Sequence, residues 1–571
     1  MKISSLLVIS VAAFAAVSAS AQSKPKPKLM ERSNPIQHVL LISIDGMHAV
    51  DYRNCSQGIA TIENGTQYCP NLASLGATAY NYVAASTSKT SDSFPGLMAI
   101  VTGGTPRTMG IYYDVAYDRS LDAPKNTTGN GLAGGPCTPY GQPTGTTTEY
   151  EEGIDLNQTL VNGGAPGASL TDGGVASIDP TKLVRDPKTG CSPVWPWNFV
   201  RVNTIFGVIH EAGGYTAWSD KHPAYSAVAG PDGIGALNDF YGPEINSNVV
   251  ALPGVTLPDG ATCATIRDKG ADLTAWTNSF QNIKCYDTLK VNAILNEIAG
   301  LTHDGKAAKT PTIFGMNFQA VSVGQKFIEK SISTKGGYKD AAGTPTPALL
   351  DDLMFVDDSI GEMIQALKDN GLYESTLVII TAKHGQSPID PNLWNPILNQ
   401  TNGSSPVTLL SNANMIPYSE STNNPTGIGP TEDDVSLVWL KPGASTAAAV
   451  SILESNATNI GLGQIFYGPS LALNYDVPGL PPNDPRTPDI IVTPNVGVDY
   501  TGSTKKLAEH GGFAHDDTNV VLFLSNPAYA PTTVYTNVGT NQIAPTILST
   551  LGLNPQSLDA VRLEGTGVLP K

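Results

Sequence analysis

Four short runs hold residue types that could act together on one substrate. His-Val-Leu-Leu-Ile-Ser-Ile-Asp-Gly (38–46) ends an apolar stretch on Asp45, and Thr-Ser-Lys-Thr-Ser-Asp-Ser-Phe-Pro-Gly (87–96) presents Ser93 ahead of a second apolar stretch. Thr-Ala-Lys-His-Gly (381–385) carries Lys383 and His384, and Glu-His-Gly-Gly-Phe (509–513) carries His510. A hydroxyl becomes a nucleophile near neutral pH only with a base or a cation beside it. Carboxylate and imidazole supply a base, or the ligands of a divalent metal such as zinc. A serine opening a helix also faces exposed N–H groups that favour an anion. The chemistry suggested is ester cleavage at phosphorus.

Each residue has a plainer explanation. Ser93 could be only a helix cap, as could Thr90, Ser91 and Asp92. Asp45 could cap the turn at Gly46, and His384 and His510 could be polar turn residues. Lys383 could point into solvent, as lysines usually do. Lys221 and His222, in Ser-Asp-Lys-His-Pro-Ala-Tyr (219–225), are candidates for substrate contact. The functional reading gains weight because the candidates share an address.

That address comes from the elements around them. Short branched-apolar runs predict strands at Val39–Ile44, Tyr215–Trp218, Thr312–Phe318, Leu377–Thr381, Asp489–Thr493 and Val520–Leu524. Leu349, Leu353, Val356, Ile360, Met363 and Leu367 recur at alternate four- and three-residue steps, which predicts an amphipathic helix stopping near Gly371. Alternating strands and helices imply a mostly parallel α/β sheet flanked by helices. In such sheets sites gather at the carboxyl ends of strands. Asp45, Lys221, His222, Gln325, Lys383, His384 and His510 all lie at or near such ends.

Composition narrows the setting. Residues 1–21 have a basic start, an apolar run and the small-residue pattern Ala19-Ser-Ala21, which predicts a signal peptide and export, to the periplasm in a Gram-negative host. Residues 22–37 read as a tether, and 38–570 as one catalytic domain with insertions at about 119–200, 225–288 and 386–485. The six cysteines lack metal-type spacing, so disulfides are expected, with sequence-neighbour pairing 55–69, 137–191 and 263–285 the simplest of many connectivities. Asn54, Asn64, Asn126, Asn157, Asn399, Asn402 and Asn456 begin glycosylation sequons, relevant in a eukaryotic host. A net charge of −17 argues against a nucleic-acid or anionic-membrane surface, though not against a small anionic ester held by local cations.

The ordered runs resemble the alkaline phosphatase superfamily, and within it the type I phosphodiesterase/nucleotide pyrophosphatase branch. Leu-Ile-Ser-Ile-Asp-Gly (41–46), Ser-Phe-Pro (93–95), Ile-Val-Thr-Gly-Gly (100–104), Met-Gly-Ile-Tyr-Tyr-Asp (109–114), both His-Gly motifs and Gln-Ile-Ala-Pro-Thr-Ile-Leu (542–548) carry the likeness. The resemblance implies an alkaline-phosphatase-like fold and a two-zinc phosphoryl-transfer site. Ser93 stands at the nucleophile position, Asp45 and His384 at ligands of the metal activating it, and His510 at a ligand of the other.

Three positions depart from that pattern. Lys383 replaces the Asp before the first His-Gly. Phe318-Gln-Ala-Val-Ser-Val-Gly-Gln325 puts Val321 and Gln325 where an Asp and a His are usual, and Gly96 replaces an Asn. A catalytic zinc takes three protein ligands and an open position, a count the His510 site fails. An ammonium about 4 Å from a divalent cation is repelled by several kcal/mol at an effective dielectric of about 20. Lys383 is therefore expected to replace a metal, neutralising substrate oxygens or accepting the Ser93 proton.

The expectation is a secreted phosphodiester or pyrophosphate hydrolase acting through Ser93 and a covalent phospho-enzyme. Catalysis would fall to Ser93 and Lys383. A divalent metal, zinc by its ligands, would occupy at most one site built from Asp45, Ser93, His384 and His510. Substrate contacts would come from Gln325, Lys221 and His222. The alternatives are an anion-binding homologue without turnover, or a hydrolase of another ester such as a sulfate, although Ser93 lacks the Cys/Ser-x-Pro-x-Arg context of sulfatases.

Overall fold

The computed structural model describes residues 35–128, 131–150, 175–245, 257–258, 260, 263, 277–399, 403–417, 431–475 and 484–571. The expected signal peptide, nearly all of the expected tether, and the sequons at Asn157 and Asn402 lie outside the described residues. In chain order the elements that matter to the site are β1 (His38–Ile44), β2 (Ala79–Tyr82), α1 (Ser93–Thr102), β3 (Ala217–Ser219), β4 (Asp239–Tyr241), α2 (Phe280–Ile298) and β5 (Ile313–Phe318). There follow α3 (Ala320–Lys326), α4 (Pro347–Asp369), β6 (Thr376–Thr381), β7 (Ser436–Val438), β8 (Leu462–Tyr467), β9 (Ile490–Pro494), β10 (Phe523–Ser525), β11 (Thr532–Val534) and α5 (Ile543–Thr550).

Among the described residues the main sheet runs β11-β2-β10-β6-β1-β5-β3-β4. All neighbours pair in parallel except those of β10, which is antiparallel to both β6 and β2. A parallel strand buried on both faces is apolar at nearly every position, and β1 shows why. Val39 and Leu41 enter one core with Leu97, Met98, Ile100 and Val101 of α1 and Ile543 and Ile547 of α5. Leu40, Ile42 and Ile44 point to the other face, with Ile283 and Ile294 of α2 and Leu349, Val356 and Met363 of α4. The period of two along the strand thus separates two cores, each covered by helices.

The helix expected from the spacing of Leu349 to Leu367 is α4. All six of those residues are buried, the Thr346 hydroxyl caps its start by accepting from Leu349 N–H, and Gly371 follows its end at φ 69°. The strand expected at Tyr215–Trp218 is displaced to Ala217–Ser219, and that at Val520–Leu524 to Phe523–Ser525. The run Asp489–Thr493 forms β9, outside the main sheet, in a small antiparallel sheet β7-β9-β8 with its own core around Leu437, Trp439 and Ile490. Strand β4, inside the segment 225–288, is the edge of the main sheet.

Disulfides join Cys55–Cys69, Cys137–Cys191 and Cys263–Cys285, the sequence-neighbour pairing. Among the described residues no helix is long and apolar enough to cross a membrane.

Candidate active site

Register decides what meets what. Ile44 aligns with Phe318, Ser43 with Thr381 and Met316 with Ser219, so β1, β5, β6 and β3 release their next residues at one edge. Those residues are Asp45, Gln319, Lys383-His384 and Asp220-Lys221. Helix α1 delivers Ser93 to the same edge: Asp92 is its N-cap, accepting from Phe94 N–H at 3.2 Å. The loop holding His510 is fixed beside it, because Gly511 N–H donates to the Ser91 carbonyl at 2.9 Å.

Two glycines let these segments close up. A Cβ on Gly96 would lie 2.2 Å from the Lys383 carbonyl oxygen, so the start of α1 lies directly against the end of β6. No side chain fits there, which accounts for the missing Asn. Gly46 has φ 79°, and a Cβ on it would meet Gln325 Oε1 at 2.2 Å.

Ser93 Oγ lies between two nitrogens, 3.1 Å from His384 Nε2 and 3.1 Å from Lys221 Nζ. Asp45 Oδ1 lies 2.8 Å from the same His384 Nε2, a distance at which it pairs with the imidazole whenever that ring is protonated. His384 Nδ1 faces the Gly385 carbonyl at 2.7 Å. Serine and carboxylate therefore share one imidazole nitrogen, unlike a Ser-His-Asp triad, where the carboxylate takes the other. Gln319 donates its amide N–H to Asp45 Oδ2. Burial pushes the Asp45 carboxyl up, but His384, Lys383 and Lys221 outweigh it and hold it well below the usual carboxylate range.

Lys383 requires a correction. It is buried, not in solvent, and its ammonium sits 3.0 Å from Asp220 Oδ1 and 3.9 Å from the centre of the Tyr225 ring. A buried ammonium needs a counter-charge, and Asp220 supplies it. The ammonium against Ser93 belongs to Lys221, so the geometry gives no support to Lys383 as acceptor of the Ser93 proton. Trp218 Nε1–H donates to Asp220 Oδ2 at 3.1 Å and Lys221 N–H to Oδ1 at 2.8 Å, fixing both lysines to one carboxylate.

The His510 ring lies 3.9 Å, centre to centre, from that of His384. Burial, with His384 and Lys326 nearby, lowers His510 well below the ordinary imidazole value. Among the described residues its buried Nδ1 makes no hydrogen bond, and it stands 3.4 Å from Asp92 Oδ1. Lys326 reaches Glu509 Oε2 at 3.5 Å.

Gln325 belongs to a neighbouring group. Its amide donates to the Gly46 carbonyl at 2.8 Å, Asp51 at 3.1 Å and the Tyr338 hydroxyl at 2.9 Å, and its oxygen accepts from Gln386 at 2.7 Å. His222 Nδ1 pairs with Glu244 at 2.8 Å, and its ring stacks on Tyr225. These contacts hold Gln325 and His222 in the frame of the site, and neither is placed on Ser93. Gln319, Asp220, Tyr225 and Lys326 escaped the sequence reading. Their only signal is position, since each directly follows or closely trails a strand or helix end already singled out.

The donors do not fit a pair of zinc ions. Among the described residues no three His, Cys, Asp or Glu side chains converge closely enough to hold a metal. The nearby carboxylates are engaged by protein: Asp45 by Gln319 and His384, Asp92 by the α1 N-terminus, Glu509 by Lys506 and Lys326. His510 with Asp92 falls short of three ligands.

A model of the type I phosphodiesterase/nucleotide pyrophosphatase family, whose members use divalent metals, matches residues 39–198 and 322–516, more than half of the chain. The solved murine ectonucleotide pyrophosphatase/phosphodiesterase 5 is similar in fold at 12% identity and TM-score 0.52, covering 91% of this chain and 96% of its own. An inactive variant of that murine protein, in complex with AMP, gives 11% identity and TM-score 0.51 with the same coverage. No curated protein sequence matches the chain.

Proposed function

The chain belongs to the type I phosphodiesterase/nucleotide pyrophosphatase family, a family of phosphoester hydrolases, and from that premise we propose that it is exported and cleaves phosphodiester or pyrophosphate bonds through Ser93. The observation that carries the reading is Ser93 Oγ, at the opening of α1, within 3.1 Å of both an imidazole and an ammonium. With His384 Nε2 unprotonated, the Ser93 O–H donates to it while Oγ accepts from Lys221. Oγ attacks phosphorus, its proton passes to His384 Nε2, and the bond to the leaving oxygen breaks. Asp45, 2.8 Å from that nitrogen, meets the imidazolium charge as it forms. The imidazolium then gives its proton to the leaving oxygen. Water next attacks the phosphoserine with His384 as base, and the proton returns to Ser93 Oγ as the ester bond opens. Negative charge on the phosphoryl oxygens is met by Lys221 and the N–H groups of α1.

Export is supported by the leader at 1–21 and fits three disulfides, which persist in oxidising compartments. The test is turnover of nitrophenyl phosphodiester, sulfate and carboxylate esters by the mature protein and by Ser93→Ala. Cleavage of the phosphodiester that disappears in Ser93→Ala is expected. Turnover of none of them, or phosphodiester turnover unaffected by the substitution, contradicts the assignment.

A further inference from the structure

Resting on Ser93 as the attacking group, we propose that Lys221 is the cation of this site: its ammonium stands in for the metal ion of the zinc-dependent relatives, and the reaction runs without a bound metal. Lys221 Nζ is 3.1 Å from Ser93 Oγ, a hydrogen bond to the atom that a metal would otherwise activate. A second ammonium, Lys383, occupies the position that the family fills with a carboxylate ligand. Its charge goes to Asp220, the residue whose Oδ1 also accepts from the Lys221 backbone N–H. Asp220 therefore does two things at once. It neutralises Lys383 in a fully buried pair, and it fixes the turn that aims Lys221 at Ser93.

Both residues lie between 199 and 321, the stretch that the family model does not match. Electrostatics closes the argument: a divalent ion at Ser93 would face the Lys221 ammonium, and at about 4 Å that charge would oppose it by several kcal/mol at an effective dielectric of about 20. A metal would also have to displace Gln319 and His384 from Asp45, and Lys506 and Lys326 from Glu509.

Lys221 keeps its protons throughout. One N–H points first at the Ser93 lone pair, compensates the charge as the O–H proton leaves for His384, and then serves a non-bridging phosphoryl oxygen. The ammonium is an electrostatic group and not a base, and it touches the reacting atom, so it is a catalytic residue.

The experiment uses the mature protein purified in metal-scrubbed buffers, as wild type, Lys221→Met and Lys221→Arg. Zinc and other divalent metals are counted per chain by elemental mass spectrometry, and bis(p-nitrophenyl) phosphate turnover is followed before and after dialysis against a chelator. Expected are far fewer metal ions than chains and wild-type turnover changed by less than about twofold on chelation. Lys221→Met should lose about 10²–10³-fold in kcat/KM, and Lys221→Arg should recover part of the loss, with thermal melts of all three alike. Stoichiometric metal, with turnover lost on chelation and restored by zinc, overturns this inference and leaves Ser93's role standing. Full activity in Lys221→Met overturns it as well. A wild type inert toward every phosphodiester overturns the functional reading beneath it. Should Lys221→Met not fold, the metal count and chelation of wild type decide the matter alone.

Discussion

Two buried polar groups sit side by side at the carboxyl edge of the main sheet and solve the same problem in opposite ways. Around Gln325, positions where the family pattern has metal ligands hold Val321, inside the core, and an amide that bonds Gly46, Asp51, Tyr338 and Gln386. His48 completes that group through Asp51 and Tyr338, each at 2.9 Å. Burial alone would lower His48, but Asp51 outweighs it and raises the imidazole above its ordinary value. Around Ser93 the charges remain, as ammonium groups set against Asp45, Asp220 and Glu509. At the positions of Val321 and Gln325 the space is taken by core packing and by hydrogen bonds within the protein, one of them to the Asp51 carboxylate. Beside Ser93 Oγ, positive charge is retained. The first group is expected to serve stability and the second to serve turnover.

The largest effect should come from Ser93→Ala, which removes the attacking oxygen and should lower kcat/KM by at least about 10³-fold with an unchanged melting temperature. Parallel loss of activity and stability would place Ser93 in the structural group instead. Asp220→Asn strands the Lys383 ammonium in the interior and should cost about 3–5 kcal/mol of stability, read by denaturant unfolding. It should also weaken turnover, since the same carboxylate aims Lys221. An Asp220→Asn protein as stable as wild type would remove Asp220 as the buried counter-charge.

Gln325→Leu probes the other group. It takes the Gln325 donor from the Gly46 carbonyl and leaves the Gln386 amide with Ser322 alone, and about 1–3 kcal/mol should be lost, while kcat/KM of the folded variant stays near wild type. A large fall in kcat/KM without loss of stability would erase the distinction between the two groups.

The smallest effect is a pH dependence away from both groups. Burial pushes the Glu432 carboxyl up to about 7, against the bonds it accepts from Val407, Ser405 and Ser436. The folded chain then keeps a proton that the unfolded chain releases near 4.5, so this contribution is fully present below about 4.5 and falls as pH rises toward 7. Wild type should lose a few degrees of melting temperature between about pH 5 and pH 7.5, and Glu432→Gln should lose less. Equal losses would assign the trend to other groups.

Much of this was legible in the sequence because parallel strands buried on both faces leave nearly unbroken apolar runs. β1, β5 and β6 could be read from such runs, and with them the edge that gathers Asp45, Lys383 and His384. Antiparallel β10 and the short β3 lie a few residues from where the apolar runs place them, because those runs extend beyond the paired segment. Position along the chain, beside His384 at a strand end, points Lys383 toward Ser93. What decides its direction is Asp220, a charge 163 positions away, and pairings of that kind leave no local pattern. Gln325 follows a strand and so reads as a site residue, yet it is held by Gly46 and Asp51, 279 and 274 positions away.

The central claim is that Ser93 Oγ takes up the phosphoryl group with Lys221, not a metal, beside it. The direct measurement is rapid acid quench of wild type turning over bis(p-nitrophenyl) phosphate in the presence of chelator, followed by peptide mass spectrometry. The account predicts a phosphoryl adduct on the peptide containing Ser93, absent from Ser93→Ala. Turnover under those conditions with the adduct on another residue would contradict it, and so would an adduct that forms only after zinc is restored.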